Sequence, residues 1–255
     1  MDNASARAVV SGGASGLGLA VAERIVADGG SVVMLDVQDA VGAQAATRLG
    51  ARASFQHCDV TREDEVDRAV RAASERLGSI TLAVSCAGVA TPGRVLGRDG
   101  PIRGEVFKRV IDINLIGTFL FNKAAAAVMQ NNAPNGEGER GVIINTASVA
   151  AFDGQIGQAA YSASKAAVAG MTLPLAREFA RLGIRVVTIA PGLFETPMMA
   201  GLPQEAQRSL AQQVPFPPRL GRPVEYAALV ASIYSNPMLN GETIRLDGAL
   251  RMQPK

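Results

Sequence analysis

Apolar residues recur along the chain in short runs, at 8–10, 31–35, 53–56, 82–85, 142–145, 185–189 and 243–246, most of them rich in β-branched residues. Runs that are apolar at consecutive positions predict strands buried on both faces. Between them the apolar spacing changes to three and four: Val66, Ala69, Val70, Ala73 and Leu77 draw one stripe along a helix. Buried strands alternating with helices predict a parallel sheet covered on both sides, here with seven strands and about six helices. The chain, residues 1–255, fits one doubly wound α/β domain.

Three stretches break this rhythm. Residues 91–104 hold four glycines, two prolines and three arginines, and 131–141 are rich in Gly, Asn and Pro, so both predict surface loops. The third, 192–218, contains Pro197, Pro203, Pro215, Pro217 and Pro218 and follows a strand end; from 193 to 218 it reads as a lid over a ligand site. A further helix is expected to start near Tyr161 and to bend at Pro174.

Composition adds that the chain is globular: 48% hydrophobic and 19% charged, with no repeat, which excludes disorder and collagen-like structure. No charged segment followed by an apolar core opens the sequence, and polar groups or glycines interrupt every apolar stretch before membrane-spanning length. The expectation is a soluble protein with no membrane partner, cytoplasmic or, in a eukaryote, in the mitochondrial matrix. A net charge of +2 gives no footprint for nucleic acid.

The turn after the first strand is Ser11-Gly12-Gly13-Ala14-Ser15-Gly16-Leu17-Gly18, followed at once by an apolar helix. Glycines let the backbone approach a pyrophosphate closely, and the N–H groups at the helix start then face its charge. Gly12, Gly16 and Gly18 follow a G-x3-G-x-G spacing rather than the commoner G-x-G-x-x-G. Asp36 ends the second strand, where a carboxylate bonds ribose hydroxyls and repels a 2′-phosphate. No Arg or Lys stands at Ala14, Ser15, Val37 or Gln38 to receive such a phosphate, so the cofactor expected is NAD rather than NADP.

One His and two Cys, Cys58 and Cys86, leave no zinc cluster of common spacing and no disulfide framework, and no metal is expected. His57 has no Gly-x-Ser-x-Gly elbow to serve, which removes the hydrolase reading. The chemistry therefore falls to other groups. Tyr161 and Lys165 are four apart at the start of a helical pattern, so they share a face, and Ser148 follows the strand at 142–145. A lysine charge at about 4 Å is worth roughly 4 kcal/mol at an effective dielectric near 20, enough to draw a phenol of pKa ~10 down by about 3 units. Tyr161 so tuned can exchange a hydroxyl proton while a hydride moves to or from a nicotinamide, with Ser148 holding the substrate oxygen.

Taken together, Gly12-x3-Gly16-x-Gly18, Asp59-Val60, Cys86-Ala87-Gly88, Asn114, Ser148, Tyr161-x3-Lys165 and Pro191-Gly192 resemble the short-chain dehydrogenase/reductase family, in its order and over nearly the whole chain. The resemblance implies a Rossmann-type fold, Ser148 and Tyr161 on the substrate, Tyr161 as acid/base, and Lys165 on the nicotinamide ribose. It implies that Asn114 supports Lys165 through a bound water and a helix irregularity. For NAD it implies contacts from Ser15, Leu17, Asp36, Asp59, Val60, Cys86, Ala87, Gly88, Phe194 and Thr196, and for the assembly a homotetramer. Two departures are visible: Ser11 where the family usually has Thr, and Cys86 where many members have Asn.

Longer matches at 12–20, 141–152, 240–242 and 245–249, with the loops 91–104 and 131–141, narrow the resemblance to members acting on 3-hydroxyacyl-CoA or hydroxysteroid substrates. A 3-oxoacyl reductase is an alternative within the class. Arg94, Arg98 and Arg103 are candidates for the phosphates of coenzyme A. The alternative outside catalysis is a scaffold subunit of an RNA-processing complex, which intact Ser148, Tyr161 and Lys165 disfavour.

Overall fold

The computed structural model describes residues 1–254 apart from Asp99, Leu202 and Pro203, so the part of the first loop at Asp99 and of the expected lid at Pro203 lies outside the described residues. Its strands are β1 (Arg7–Ser11), β2 (Ser31–Asp36), β3 (Ala53–His57), β4 (Leu82–Ser85), β5 (Leu96–Gly97), β6 (Gly100–Pro101), β7 (Gly141–Thr146), β8 (Ile184–Pro191) and β9 (Thr243–Leu246). The α-helices are α1 (Gly16–Ala27), α2 (Asp39–Leu49), α3 (Glu63–Leu77), α4 (Gly104–Ile111), α5 (Gly117–Met129), α6 (Ala159–Ala180), α7 (Pro197–Ala200), α8 (Gln204–Gln212) and α9 (Pro223–Ser235).

Seven of these strands pair in parallel in the order β3-β2-β1-β4-β7-β8-β9, which is the doubly wound sheet read from the apolar runs. Alternation along each strand sends Ala8, Val10, Val32, Met34, Val84 and Ile144 to the face covered by α1 and α9. Val9, Val33, Leu35, Ala83, Ile143 and Val186 face α3, α5 and α6. The inner strands are buried except at the first residues of β1 and β2, Arg7 and Ser31, but the edges are less so: β3 ends on exposed His57, and all four residues of β9 are half-buried. An edge strand lacks a neighbour on one side, and the polar Ser54, Gln56, Thr243 and Arg245 reflect that.

The helix count exceeds the expectation of about six because the irregular stretches fold. The first loop contains the small antiparallel pair β5–β6, and the lid contains α7 and α8. Pro197 begins α7, a position where its missing N–H has no helical partner to lose, and Thr196 caps it through its hydroxyl. A π turn, Asp112–Ile116, joins α4 to α5. The continuous segment Gly104–Met129 is apolar enough by length and composition to cross a bilayer, although no run of it is uninterrupted; more than half of its most apolar window is buried within the fold. Helix α6 passes through Pro174, on its exposed side, without a break.

β1 lies between β2 and β4, so the chain leaves the sheet in opposite directions on either side of it. Open α/β sheets bind ligands in the crevice at the carboxyl ends of the strands at such a switch point. The loop 131–141 lies at the other end, running into the start of β7, where its Glu139 pairs with buried Arg185 at 2.5 Å.

Candidate active site

The glycine turn packs against the end of β4. Gly12 has φ +65°, and a Cβ on it would stand 2.5 Å from the Ala87 nitrogen and 2.7 Å from the Cys86 carbonyl carbon, so only glycine fits. A Cβ on Gly18 would meet the Gly12 carbonyl oxygen at 2.2 Å, which seats α1 directly on the turn. The first-turn N–H groups of Gly16, Leu17 and Gly18 have no intrahelical acceptor, and the Ser15 hydroxyl, at the N-cap, makes no capping bond. These donors fit an anionic pyrophosphate. Across the turn, Thr196 and Pro197 lie 3.4 to 3.7 Å from where a Gly16 Cβ would point, so the lid begins over the cradle.

Asp36 is buried at the end of β2, where one carboxylate oxygen accepts the Ala14 N–H at 3.1 Å and the other accepts the Gln38 N–H at 3.2 Å. The carboxylate is thus fixed in orientation, with further lone pairs to accept ribose hydroxyls. Other expected cofactor residues already have protein partners. Asp59 accepts the Thr61 N–H at 2.9 Å, Val60 packs at the helix position Gly117, and the Phe194 ring lies on Gly221. His57 stands outside the crevice, exposed, with Nδ1 2.8 Å from Asp39.

Ser148 leaves β7 and caps the short 3-10 turn Val149–Ala151, its hydroxyl accepting the Ala150 N–H at 3.1 Å. Tyr161 comes from the first turn of α6, and Lys165, one turn later, puts its Nζ 5.8 Å from the Tyr161 ring centroid. Buried Lys165 donates to the Thr146 carbonyl at 2.8 Å. Burial lowers Lys165 to about 8. Burial likewise pushes Tyr161 above its ordinary value, against which the neighbouring Ser148 hydroxyl pulls it down. The expected drop of Tyr161 toward neutrality is therefore not a property of the chain alone: desolvation of the phenolate outweighs the Ser148 hydrogen bond that opposes it.

Asn114 occupies the π turn, which is the irregularity expected there. Its amide accepts the Val89 N–H at 2.8 Å and donates to the Val89 carbonyl at 2.9 Å and to Ser164 Oγ at 3.1 Å. Ser164 in turn donates to the Tyr161 carbonyl at 2.7 Å, so Asn114 braces the turn that carries Tyr161. A Cβ on Gly88 would stand 3.2 Å from Asn114 Oδ1 and 3.5 Å from Lys165 Nζ, which places Gly88 between the two. Thr146, Ser164 and Val89 escaped the sequence reading. Ser164 lies three residues from Tyr161 and Thr146 two before Ser148, a proximity that flags them only once the centre is known.

The wall beyond Ser148 is tied down at both ends. Arg245 donates to Asp153 at 2.5 Å, to Asp247 at 2.7 Å and to the Leu250 carbonyl at 2.9 Å, and stacks over Phe152 with its guanidinium carbon 5.3 Å from the ring centroid. Gly93 donates to the Gly157 carbonyl at 2.8 Å, holding the arginine-bearing loop against the same wall. Arg94, Arg98 and Arg103 are all exposed, and Arg103 pairs with Glu105 at 3.1 Å.

A family model described as short chain dehydrogenase matches residues 6–207. The chain belongs to the short-chain dehydrogenase family and is an oxidoreductase with a nicotinamide cofactor. It is 54% identical over 252 residues to a 3-hydroxyacyl-CoA dehydrogenase type-2 of Drosophila melanogaster, covering 98% of this chain and 99% of that protein. A protein of the same name from Homo sapiens is 54% identical over 249 residues, covering 97% and 95%. The crystal structure of a 3-hydroxyacyl-CoA dehydrogenase type-2 from Mycobacterium avium matches with a TM-score of 0.94 at 43% identity, over 100% of this chain and 98% of that one.

Proposed function

We propose that this oxidoreductase is an NAD-dependent dehydrogenase of 3-hydroxyacyl-CoA substrates, with Tyr161 as its acid/base. The observation that carries the reading is the gathering of Ser148, Tyr161 and Lys165 beside a glycine cradle at the carboxyl end of the sheet. The substrate class follows from the names of relatives that share more than half of the residues over nearly the full length. Asp36, with no basic residue at Ala14, Ser15, Val37 or Gln38, favours NAD over NADP.

The cradle donors of Ser15, Gly16, Leu17 and Gly18 would hold the pyrophosphate and Asp36 the adenosine ribose. Bound NAD supplies the hydride acceptor and a positive charge. Tyr161 Oη, as phenolate, takes the proton of the substrate hydroxyl, while Ser148 Oγ–H donates to the same substrate oxygen and orients it. Lys165 has one N–H on Thr146; its other two donors would be free for the ribose hydroxyls of the nicotinamide half, and its charge would lower the cost of the phenolate. Arg94 and Arg98, exposed on the loop bound to the wall, are the groups we assign to coenzyme A phosphates.

The test is a panel of straight and branched 3-hydroxyacyl-CoA substrates and a hydroxysteroid, each with NAD and with NADP, ranked by kcat/KM. Highest efficiency for an acyl-CoA with NAD is expected; a steroid or NADP in first place overturns that part of the reading. Tyr161→Phe is expected to lower kcat by about 10²- to 10⁴-fold with NAD binding nearly intact. Undiminished turnover in that variant overturns the acid/base assignment.

A further inference from the structure

The catalytic lysine is held by a backbone carbonyl, and what holds that carbonyl leads to a residue in the last third of the chain. Thr146 is the final residue of β7, and its hydroxyl donates to the Ser85 carbonyl at the end of β4. A threonine hydroxyl has a single proton, so the Tyr226 hydroxyl, 2.7 Å from Thr146 Oγ1, must donate into this bond rather than accept from it. Tyr226 comes from α9 and is wholly buried. Its own oxygen is left to accept from the Cys86 thiol at 3.9 Å, and Cys86 Sγ lies 3.6 Å from Thr146 Oγ1. The order is Cys86, Tyr226, Thr146, Ser85, a chain of donors running beneath the floor of the site from one strand end to the next.

We propose that Tyr226 is a positioning residue for the hydride-transfer reaction: through the Thr146 hydroxyl it fixes the carbonyl that orients Lys165. This deepens the reading given above and rests on Lys165 and Tyr161 acting as stated there. Three observations support it. The Thr146 carbonyl accepts Lys165 Nζ at 2.8 Å, and Lys165 is buried, so water does not readily replace that acceptor. Thr146 is also two residues from Ser148, so the same anchor sets where the chain leaves the sheet toward the substrate. Finally, the Tyr226 hydroxyl is the donor to buried Thr146 Oγ1, so its removal leaves that oxygen with an unfilled acceptor position, a cost that a shift of the Thr146 hydroxyl relieves.

A displaced carbonyl stabilises the Lys165 ammonium less. Lysine then discharges at lower pH, the Tyr161 phenolate loses a favourable charge, and its ionisation moves to higher pH. Tyr226→Phe, which deletes the hydroxyl and keeps the ring, is therefore expected to lower kcat about 3- to 10-fold and to shift the acid limb of the oxidative pH profile to higher pH, with the substrate KM within about twofold.

Tyr234→Phe is the matched control. Tyr234 is the other buried tyrosine of α9, and its hydroxyl lies 2.8 Å from Thr81 Oγ1, beside the amino end of β4. That variant is expected to lose thermal stability with kcat and pH profile unchanged. If Tyr226→Phe behaves like Tyr234→Phe, lowering Tm alone, the proposal is overturned. Should Tyr226→Phe not fold, Thr146→Val against Thr146→Ser decides the matter: Val is expected to give the alkaline shift and Ser to leave the profile in place, and identical profiles overturn the proposal. Tyr161→Phe in the same series separates the two failures, since full turnover there refutes the assignment of Tyr161 whatever Tyr226→Phe does.

Discussion

At the scale of single residues, the chemistry of the site is set by burial as much as by neighbours. All three tyrosines, Tyr161, Tyr226 and Tyr234, are held above their ordinary value because the protein takes their phenolates out of water. Desolvation disfavours the charged form, so the shift is upward in each case. The ultraviolet difference spectrum of the free protein is therefore expected to show no phenolate below about pH 10. With NAD bound, one phenolate is expected to appear at lower pH and to vanish in Tyr161→Phe. A phenolate appearing near pH 7 without cofactor refutes the burial account. Ser148, Tyr161 and Lys165 are legible in the sequence because a spacing of four on a helix shares a face and a strand end presents Ser148 beside it. Their protonation is not legible, since it depends on how much water the folded site excludes. Tyr226 is hidden for a related reason: nothing in Glu225-Tyr226-Ala227 signals that its hydroxyl meets a strand end 80 residues away.

Among the elements, the strands read well and the connections less so. The seven apolar runs lie within or coincide with β1 to β4 and β7 to β9: burial on both faces leaves a continuous apolar signature in the inner strands, and a weaker, partly polar one remains at the edges β3 and β9. The lid helices and the β5–β6 pair leave none: α7 and α8 are four and nine residues long in a stretch interrupted by prolines, and β5 and β6 are exposed two-residue strands between Gly, Pro and Arg. Helix α9 illustrates an element whose start is fixed by charge. Glu225 accepts the Arg222 N–H at 2.7 Å and takes a bidentate contact from Arg219 at 2.9 and 2.6 Å. The Arg219 guanidinium, then the Arg222 N–H, lower its carboxyl from 4.5 to about 2. A carboxyl depressed on folding adds stability that is fully present above 4.5 and is lost as pH falls toward 2. Because the pair is partly exposed, its effect is modest. Glu225→Gln is expected to lower Tm by about 1–3 °C at pH 7, with the gap closing as pH falls through that window. A gap that stays constant down to pH 2 would show that the carboxylate charge has no part in anchoring α9.

For the molecule as a whole, the question is what covers the outer faces of the helices that carry the site. On α6, Ala163, Ala166, Gly170 and Leu173 are exposed and recur at three and four, so they form one stripe. Nothing lies within 4 Å of where a Gly170 Cβ would point. The neighbouring segment from α4 to α5 exposes Phe107, Ile116 and Phe119 by 42 to 45% each. Small residues beside exposed aromatics on adjacent helices suit a second copy of the same face, packed about a two-fold axis. We therefore propose the homotetramer that the family resemblance implies, with this face as one of its interfaces. Light scattering on the 26.4 kDa chain is expected to give four times that mass. Phe119→Asp with Leu173→Asp is expected to give smaller species. The same helix supplies Tyr161 and Lys165 from its inner side, so the smaller species is also expected to lose turnover and Tm together. A wild-type chain that runs as a monomer with full activity refutes the interface and leaves the stripe on α6 without a covering partner.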